Sequence, residues 1–181
     1  MEWSAAGART LWFGLIGLVC LVAACGASPT TRQQSDPPAA PCRFLTQPIA
    51  ARISGDAKVT NQATDVVETE SGYVACIFTD AMHEANSVEV QIKRAAGGVT
   101  PSDLQAAVRF FSAGEPVQPF QPFSAVGVGD TALGESTLGV AFIVFAKGRA
   151  LVCVGADSSF RSIAALQAGV ADIATQVAAG L

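Results

Sequence analysis

The feature that most constrains the fold is a change of hydrophobic spacing in the second half of the chain. In residues 87–93 apolar and polar side chains alternate strictly, which is typical of a half-exposed antiparallel strand with Val88, Val90 and Ile92 on its buried face. Towards the C-terminus the spacing becomes helical, and one apolar stripe contains Phe160, Ile163, Leu166, Val170, Ile173 and Val177. We therefore expect a sheet with a long helix across one face.

Shorter signals complete the predicted architecture. Thr46 opens a short helix that stops at Ser54–Gly55, and Thr100-Pro101 opens a second one. Strands are expected at 72–78, 138–145 and 150–154, whereas 56–71 is ambiguous, with a strand possible around Val66 and Val67. The prediction is a single α+β domain, an antiparallel sheet of four to six strands packed by two or three helices.

The first segment indicates export and lipid attachment. Val22-Ala23-Ala24-Cys25 closes an uncharged apolar run that begins at Leu11, and this pattern is typical of a bacterial lipobox. We expect a lipoprotein signal peptide at 1–24, a diacylglycerol on the Cys25 thiol, and a proline-rich disordered tether within 25–41. Acylation (palmitate) of the new amino group is an open alternative to a free amine. The mature domain is then 42–181, lipid-anchored on the extracytoplasmic face of the cell membrane.

Two other interpretations of this segment are weaker. The apolar run has about 14 residues, whereas a helix that spans a bilayer needs roughly 20, which argues against a permanent transmembrane anchor. A plain secretory signal cleaved elsewhere is the remaining alternative, because Arg9 is the only cation before the run.

Composition excludes some partners. Eleven Lys and Arg against fifteen Asp and Glu give a net charge of −4, and no basic patch occurs along the chain. Nucleic acid and an anionic membrane surface are therefore not expected as partners. No cofactor and no metal site is expected either.

Four motifs occur in order along the mature domain: Cys42-Arg-Phe-Leu-Thr46, Ala75-Cys76-Ile-Phe78, Val126-Gly-Val-Gly-Asp130-Thr-Ala132 and Phe145-Ala-Lys-Gly148. The set resembles an actinobacterial family of secreted lipoproteins of unknown function, found in mycobacteria and streptomycetes. Its members show Cys-x-Leu-Leu-Thr, Cys-x-Trp and Gly-Leu-Gly-Asp-x-Ala motifs, and Phe78 stands where they have tryptophan. The resemblance implies a fold but no reaction.

Cysteine use fits an oxidising compartment, where one disulfide is expected among Cys42, Cys76 and Cys153. The family resemblance favours Cys42–Cys76, which would leave Cys153 as a buried, inert thiol. Cys76–Cys153 is the main rival, since the two residues could lie on adjacent strands.

The candidate catalytic motifs are weak. Gly127-Val-Gly129-Asp130 matches a loose dinucleotide fingerprint, but a strand is expected to follow it, so we interpret it as a turn in which Asp130 bonds its own backbone. A metal site could be drawn from Asp80, His83 and Glu84. We do not expect one, because His83 is the single histidine of the chain. No Gly-x-Ser-x-Gly elbow is present to support a hydrolase. We therefore predict that the chain is not an enzyme.

Two non-enzymatic functions remain. The first is a binding or accessory module for an envelope protein or cell-wall polymer, with Phe120 and Phe123 in the proline-rich loop as candidate contacts. The competing explanation is that both rings plug the edge of the sheet. The second function is a carrier that holds a lipid or other apolar molecule between helix and sheet. We favour the module.

Overall fold

A computed structural model of the chain describes residues 40–68, 72–80, 82, 86–113 and 119–181. The predicted signal peptide, Cys25 and most of the predicted tether lie outside the described residues. After a 3₁₀ turn at Pro41–Arg43, the elements in chain order are α1 (Gln47–Ser54), β1 (Val59–Glu68), β2 (Tyr73–Asp80), β3 (Ser87–Arg94), α2 (Pro101–Phe111), β4 (Gln121–Phe123), β5 (Thr131–Thr137), β6 (Val140–Lys147), β7 (Ala150–Asp157) and α3 (Ile163–Gly180).

The strands form one antiparallel sheet in the order β1-β2-β3-β7-β6-β5-β4. It consists of two meanders, β1–β3 and β4–β7, that join where β3 pairs with β7. That central register runs from Ser87 opposite Asp157 to Arg94 opposite Ala150. Because side chains alternate along each strand, the register decides which residues share a face.

Side-chain caps open α2 and α3, and a glycine ends α1. Thr100 accepts a hydrogen bond from the Asp103 N–H, and the Asp103 carboxylate accepts one from the Thr100 N–H, which completes a capping box at the start of α2. Ser162 caps α3 by accepting from the Ala165 N–H. α1 ends at Gly55, whose φ of 74° requires a residue without a Cβ penalty.

The two faces of the sheet are covered differently. On the α3 face, α1 and α3 pack on a core of fully buried side chains that includes Val90, Ile143, Phe145, Val152, Leu166, Val170 and Ile173. On the α2 face, α2 alone packs on a smaller cluster of Tyr73, Leu104, Ala107, Val108, Phe142, Val144, Leu151 and Cys153. The expected α+β architecture is thus confirmed, with a helical layer on each face.

The sheet has seven strands among the described residues instead of the four to six expected. The additional strands lie towards its two edges: β1, in the ambiguous region, and β4 and β5, which the sequence did not predict. Strand β4 has three residues, and no apolar alternation marks β5 because it is only partly buried.

Two predicted boundaries are wrong by a few residues. Leu138 lies in the turn before β6 with 67% of its surface exposed, and Phe160 precedes α3 with 58% exposed. Both were assigned from apolar character alone. Hydrophobic spacing does not distinguish a buried position at the end of an element from an exposed one just beyond it.

Cys42 and Cys76 lie at disulfide distance, with their sulfurs 2.14 Å and their Cα atoms 5.1 Å apart. This is the pairing that the family resemblance implied. Cys153 is free and buried. The rival Cys76–Cys153 bridge was wrong because Cys76 packs on the α3 face, whereas Cys153 packs on the α2 face.

Helix α3 has the length and mean hydropathy of a candidate membrane span, and it is the only such helix among the described residues. Its buried stripe of Leu166, Val170, Ile173 and Val177 is packed in the core of the α3 face.

Candidate functional site

Beyond the end of α2, the α2 face carries a cleft of ≈ 180 Å³. Strands β3, β6 and β7 form its floor, and the last residue of α2, Phe111, forms part of its wall. Its lining side chains include Ser87, Glu89, Phe111, Val140, Phe142 and Asp157. The cleft therefore combines two carboxylates with two aromatic rings.

Gly155 leaves room for one of these carboxylates. It lies in the interior of β7, directly opposite Glu89 in the β3–β7 register. A Cβ on Gly155 would lie 2.9 Å from Glu89 Oε1, so any larger residue would displace the carboxylate. A glycine inside a strand often marks such a close approach. In this sheet, Gly155 lets the Glu89 carboxylate lie over the backbone of β7.

Gln91 fixes Glu89 from the other side. Its Nε2 donates a 2.8 Å hydrogen bond to Glu89 Oε2. The Gln91 side chain is only 4% exposed, and its Oε1 is buried with no hydrogen-bond partner among the described residues. A buried amide oxygen without a donor is costly, so this acceptor beside Glu89 is a site where an added donor would stabilise the fold.

Asp157 supplies the second carboxylate, at the end of β7. Burial raises the pKa of Asp157 to about 6, because the ionised form loses hydration there. Among the described residues, none donates a hydrogen bond to this carboxylate or forms an ion pair with it. Glu89 and Asp157 are diagonal neighbours across the β3–β7 pair, a relation that places Cα atoms about 7–8 Å apart.

A buried polar network holds the end of β7 that carries Asp157. The Ser158 N–H donates to the Gly139 carbonyl at 2.8 Å, and Asn86 Oδ1 accepts from the Ser159 N–H at 3.0 Å. Asn86 Nδ2 in turn donates to Asp56 Oδ2 at 3.2 Å. Because these buried groups satisfy one another, the strand end beneath the cleft is tied to the β2–β3 and α1–β1 connections.

Aromatic rings form the apolar side of the cleft. The Phe111 and Phe142 centroids are 6.3 Å apart, and Phe120 meets Phe142 edge-on at 5.4 Å. Tyr73 packs against Phe111 at 5.8 Å on the side away from the cleft, where burial raises its pKa. The rings thus continue the small core of the α2 face up to the edge of the two carboxylates.

The two phenylalanines predicted as partner contacts lie on opposite faces. Phe120 is partly buried against the cluster of the α2 face, and Phe123 is partly buried against the core of the α3 face, where it covers Gly134. They do not form one exposed aromatic patch. Phe120 lies next to the cleft through Phe142, so of the two it is the one with a connection to the candidate site.

The Gly127–Asp130 segment is a structural turn. Gly129 has a φ of 60°, and the backbone of Ala146 occupies the space that a Cβ would need. A strand follows the turn, as expected, but it is the unpredicted β5, which begins at Thr131. The prediction that Asp130 bonds its own backbone was wrong: its carboxylate accepts the Gly148 N–H at 2.7 Å and lies 3.4 Å from Lys147 Nζ, and these contacts lower its pKa. It therefore fixes the β6–β7 turn.

Asp80 is buried at the end of β2 and accepts the Met82 N–H at 2.9 Å. His83 and Glu84 lie outside the described residues. Within the described ranges, no group of three or more His, Cys, Asp or Glu side chains is placed to hold a metal ion.

Sequence reasoning missed the cleft. Strict alternation assigned Glu89 and Gln91 to a solvent-facing side, since nothing local shows that α2 covers part of that side. The one available signal was Gly155, a glycine inside an otherwise buried strand.

The described lining of the cleft offers carboxylate oxygens and aromatic surface to a small group, and within that lining no nucleophile is paired with a base. A comparison with protein-family models found no match, and a comparison with curated proteins found none either.

Proposed function

We propose that this chain is a lipid-anchored, non-enzymatic binding module of the bacterial cell envelope, and that the cleft on the α2 face is its binding site. The lipobox at Cys25 and the resemblance to actinobacterial lipoproteins support the location. The observation that carries the binding role is the cleft itself, where the half-buried Asp157 carboxylate has no protein partner among the described residues. Such groups are retained at a cost to stability, which a ligand would offset.

The cleft volume favours a module over a lipid carrier. Pockets for drug-sized ligands measure roughly 300–1,000 Å³, and one water takes up about 30 Å³ of liquid. A cleft of ≈ 180 Å³ therefore admits a group the size of one side chain. On the other face, the core between α3 and the sheet consists of fully buried side chains, including Leu166 and Val170.

Site-directed photocrosslinking in cells tests the binding role. A photoreactive phenylalanine analogue at Leu138, in the exposed turn beside Val140, is expected to capture an envelope component. Val140→Trp should abolish this adduct by filling the cleft, whereas Val126→Trp, an exposed substitution in the loop before β5, should leave it unchanged. An adduct that persists with Val140→Trp would contradict the assignment of the cleft.

The anchor is tested separately with Cys25→Ala. We expect this variant to lose the diacylglycerol mass and to leave the membrane fraction, because the lipid is the attachment that the sequence predicts. Membrane retention without the lipid would disprove the anchoring part of the proposal.

A further inference from the structure

We infer that the exposed apolar side chains around the cleft form a docking surface for another protein of the cell envelope, which meets them with apolar side chains of its own. We call this surface the apolar rim and define it by Phe110, Leu138, Phe160 and Ile163. The inference rests on the proposed function and names the kind of partner.

The distribution of exposed apolar side chains is the first argument. Seven large hydrophobic side chains are exposed in the described part of the chain, and five of them lie beside the cleft or at the strand ends that border it: Met82, Phe110, Leu138, Phe160 and Ile163. The four residues of the rim leave between 38% and 67% of their surface to water. Single exposed hydrophobics are normal on a protein surface, whereas a cluster of them is typical of an interaction site.

Backbone contacts bring most of the rim together. The Ser158 N–H donates to the Gly139 carbonyl at 2.8 Å, which places Leu138 beside the segment that leads to Phe160. Ile163 follows as the first residue of α3. The turn before β6 and the start of α3 therefore present their apolar side chains at one end of the sheet.

The rim also reaches the cleft. Phe110 meets Phe111 edge-on, with the ring centroids 5.1 Å apart, and Phe111 lines the cleft. Val140, two residues after Leu138, lines it as well. A partner that covers the rim would therefore also cover the cleft, so the two form one continuous surface.

The rim is held in place before any partner arrives. The Phe160 N–H donates to Ser158 Oγ at 3.0 Å, and Ser158 Oγ donates to the Ser54 carbonyl. Ser158 is only 1% exposed. Because buried hydrogen bonds fix the backbone beneath the rim, little conformational entropy is lost when it docks.

The point where the rest of the chain enters indicates which occupant the rim meets. Arg43, close to the first described residue, donates to the Gly180 carbonyl at the end of α3. Phe160 precedes the other end of the same helix, which has 18 residues and is about 27 Å long. Fifteen residues separate Ala40 from the predicted anchor at Cys25, and such a segment has an r.m.s. reach of roughly 20 Å. The rim therefore lies at the end of α3 away from the anchor, where other proteins reach it more readily than the membrane does.

The chemistry of the rim also favours a protein over a bilayer. Surfaces that insert into a membrane interface are rich in Trp, Lys and Arg, whereas the rim contains none of these. Arg161, next to Phe160 in sequence, donates to the Arg52 carbonyl at 2.6 Å. The half-buried Asp157 carboxylate in the adjoining cleft would lose hydration against lipid, while a protein can place a polar group over it.

A second copy of this chain is a less suitable occupant. Apolar patches of a few side chains measure on the order of a few hundred Å². A stable dimer buries roughly 800 Å² on each partner. A rim of four side chains is therefore suited to a smaller, transient contact with a different protein.

Photocrosslinking of the full chain in cells tests the inference. A photoreactive phenylalanine analogue replaces Phe110 in one variant and Phe160 in another, so each substitution keeps an aromatic ring. We expect both positions to capture the same protein, identified by mass spectrometry. The analogue at Val126, which is 91% exposed and lies outside the rim, is the control and should not capture it.

Direct binding then measures the contribution of the rim. The captured protein is purified and titrated with the full chain in nonionic detergent. Leu138→Ser and Phe160→Ser should each weaken the affinity roughly tenfold. Val126→Ser should leave it within about twofold, and thermal unfolding verifies that all three variants are folded. Equal affinities of the three variants would overturn the inference.

The adducts also identify the wrong occupants. An adduct at twice the mass of the chain would mean that a second copy covers the rim, and an adduct with phospholipid would mean that the membrane does. Either result, or different proteins at Phe110 and Phe160, would overturn the inference.

Failure of the inference can be told apart from failure of the proposed function. If the analogues at Phe110 and Phe160 capture nothing, the inference is wrong, and the Leu138 adduct with its sensitivity to Val140→Trp decides the proposed function by itself. If both rim positions capture one protein and Val140→Trp leaves these adducts unchanged, the rim is confirmed as a docking surface and the assignment of the cleft is wrong.

Discussion

The α3 face and the α2 face belong to the same seven strands, yet they are covered to different extents. On the α3 face, the 18-residue α3 packs on β5, β6 and β7, and α1 packs on β1, β3 and β7. On the α2 face, the 11-residue α2 packs on β5, β6 and β7. No second helix among the described residues joins α2, so part of its face stays open, and polar side chains of β3 and β7 occupy that part. Helix coverage therefore decides where this sheet is core and where it carries a cleft.

The largest expected difference between the faces is in packing. Phe145→Ala on the α3 face should lower the free energy of unfolding by about 3–5 kcal/mol, because its fully buried ring leaves a cavity. Phe142→Ala on the α2 face should cost at least about 1 kcal/mol less, since one side of that ring already borders the open cleft. Urea unfolding of both variants measures this, and equal losses would mean that the faces are packed alike.

The disulfide adds a covalent constraint to the α3 face alone. Cys42 and Cys76 are 34 residues apart, so replacing both with serine should lower the free energy of unfolding by roughly 3–4 kcal/mol on the chain-entropy relation. The melting temperature should fall by roughly 10 °C. Cys153→Ala is the control, because it should leave the sensitivity to reductant intact. A double variant that melts like the oxidised parent would refute this role of the bridge.

The α2 face depends on one short helix, so its N-cap is worth testing next. Thr100→Ala should cost about 1 kcal/mol, because it removes the side-chain half of the capping box. Thr46→Ala at the start of α1 is the matched control: the Thr46 side chain makes no capping bond, so a loss of only a few tenths of a kcal/mol is expected. Thermal unfolding compares the two, and a reversed ranking would contradict the model of a cap-dependent α2.

The smallest effect concerns pH. The pKa of Asp157 rises on folding from 3.8 to about 6, so between about pH 4 and pH 6 the folded state binds more protons than the unfolded state and stability falls as pH rises. Asp157→Asn should remove this loss, and its melting temperature relative to the parent should increase from pH 4 to pH 7. Glu89 on β3 and Glu135 on β5 are described carboxylates on the same face of the sheet, and both remain in the variant. Burial also raises the pKa of Glu135.

Asp172→Asn provides a control of opposite sign. A hydrogen bond from Arg52 lowers the pKa of Asp172, so this group contributes stability above its unfolded pKa that is lost as pH falls through its folded pKa. The melting temperature of Asp172→Asn relative to the parent should therefore decrease as the pH rises. If both variants shift in the same direction, burial is not what sets the Asp157 behaviour.

Much of the fold could be predicted because local signals and the hydrophobic pattern agreed. The Thr100-Pro101-Ser-Asp103 start of α2 and the alternation around Val90 each specify one local structure, and the structure has them. Strand β5 was missed because its residues are only partly buried, and strands of that kind carry no strong apolar alternation.

The site was harder to predict because it depends on tertiary geometry. Alternation correctly put Glu89 on the side away from Val88 and Val90, but an alternating strand looks the same whether that side faces water or a neighbouring helix. Asp157 becomes half-buried only because β3, β6 and the end of α2 meet around it. Phe120 and Phe123 were grouped by proximity in sequence, although the backbone of β4 separates them onto two faces.

The pairing of β3 with β7 also has a consequence for the order in which the chain assembles. Each meander joins strands that are neighbours in sequence, whereas β3 and β7 meet only after the whole segment between Arg94 and Ala150 has closed as a loop. The two central strands of the finished sheet are therefore the last to find each other. Until they do, each presents an unpaired edge of eight residues, and that of β7 is strongly apolar, so the hazard of aggregation during folding is concentrated at this single junction.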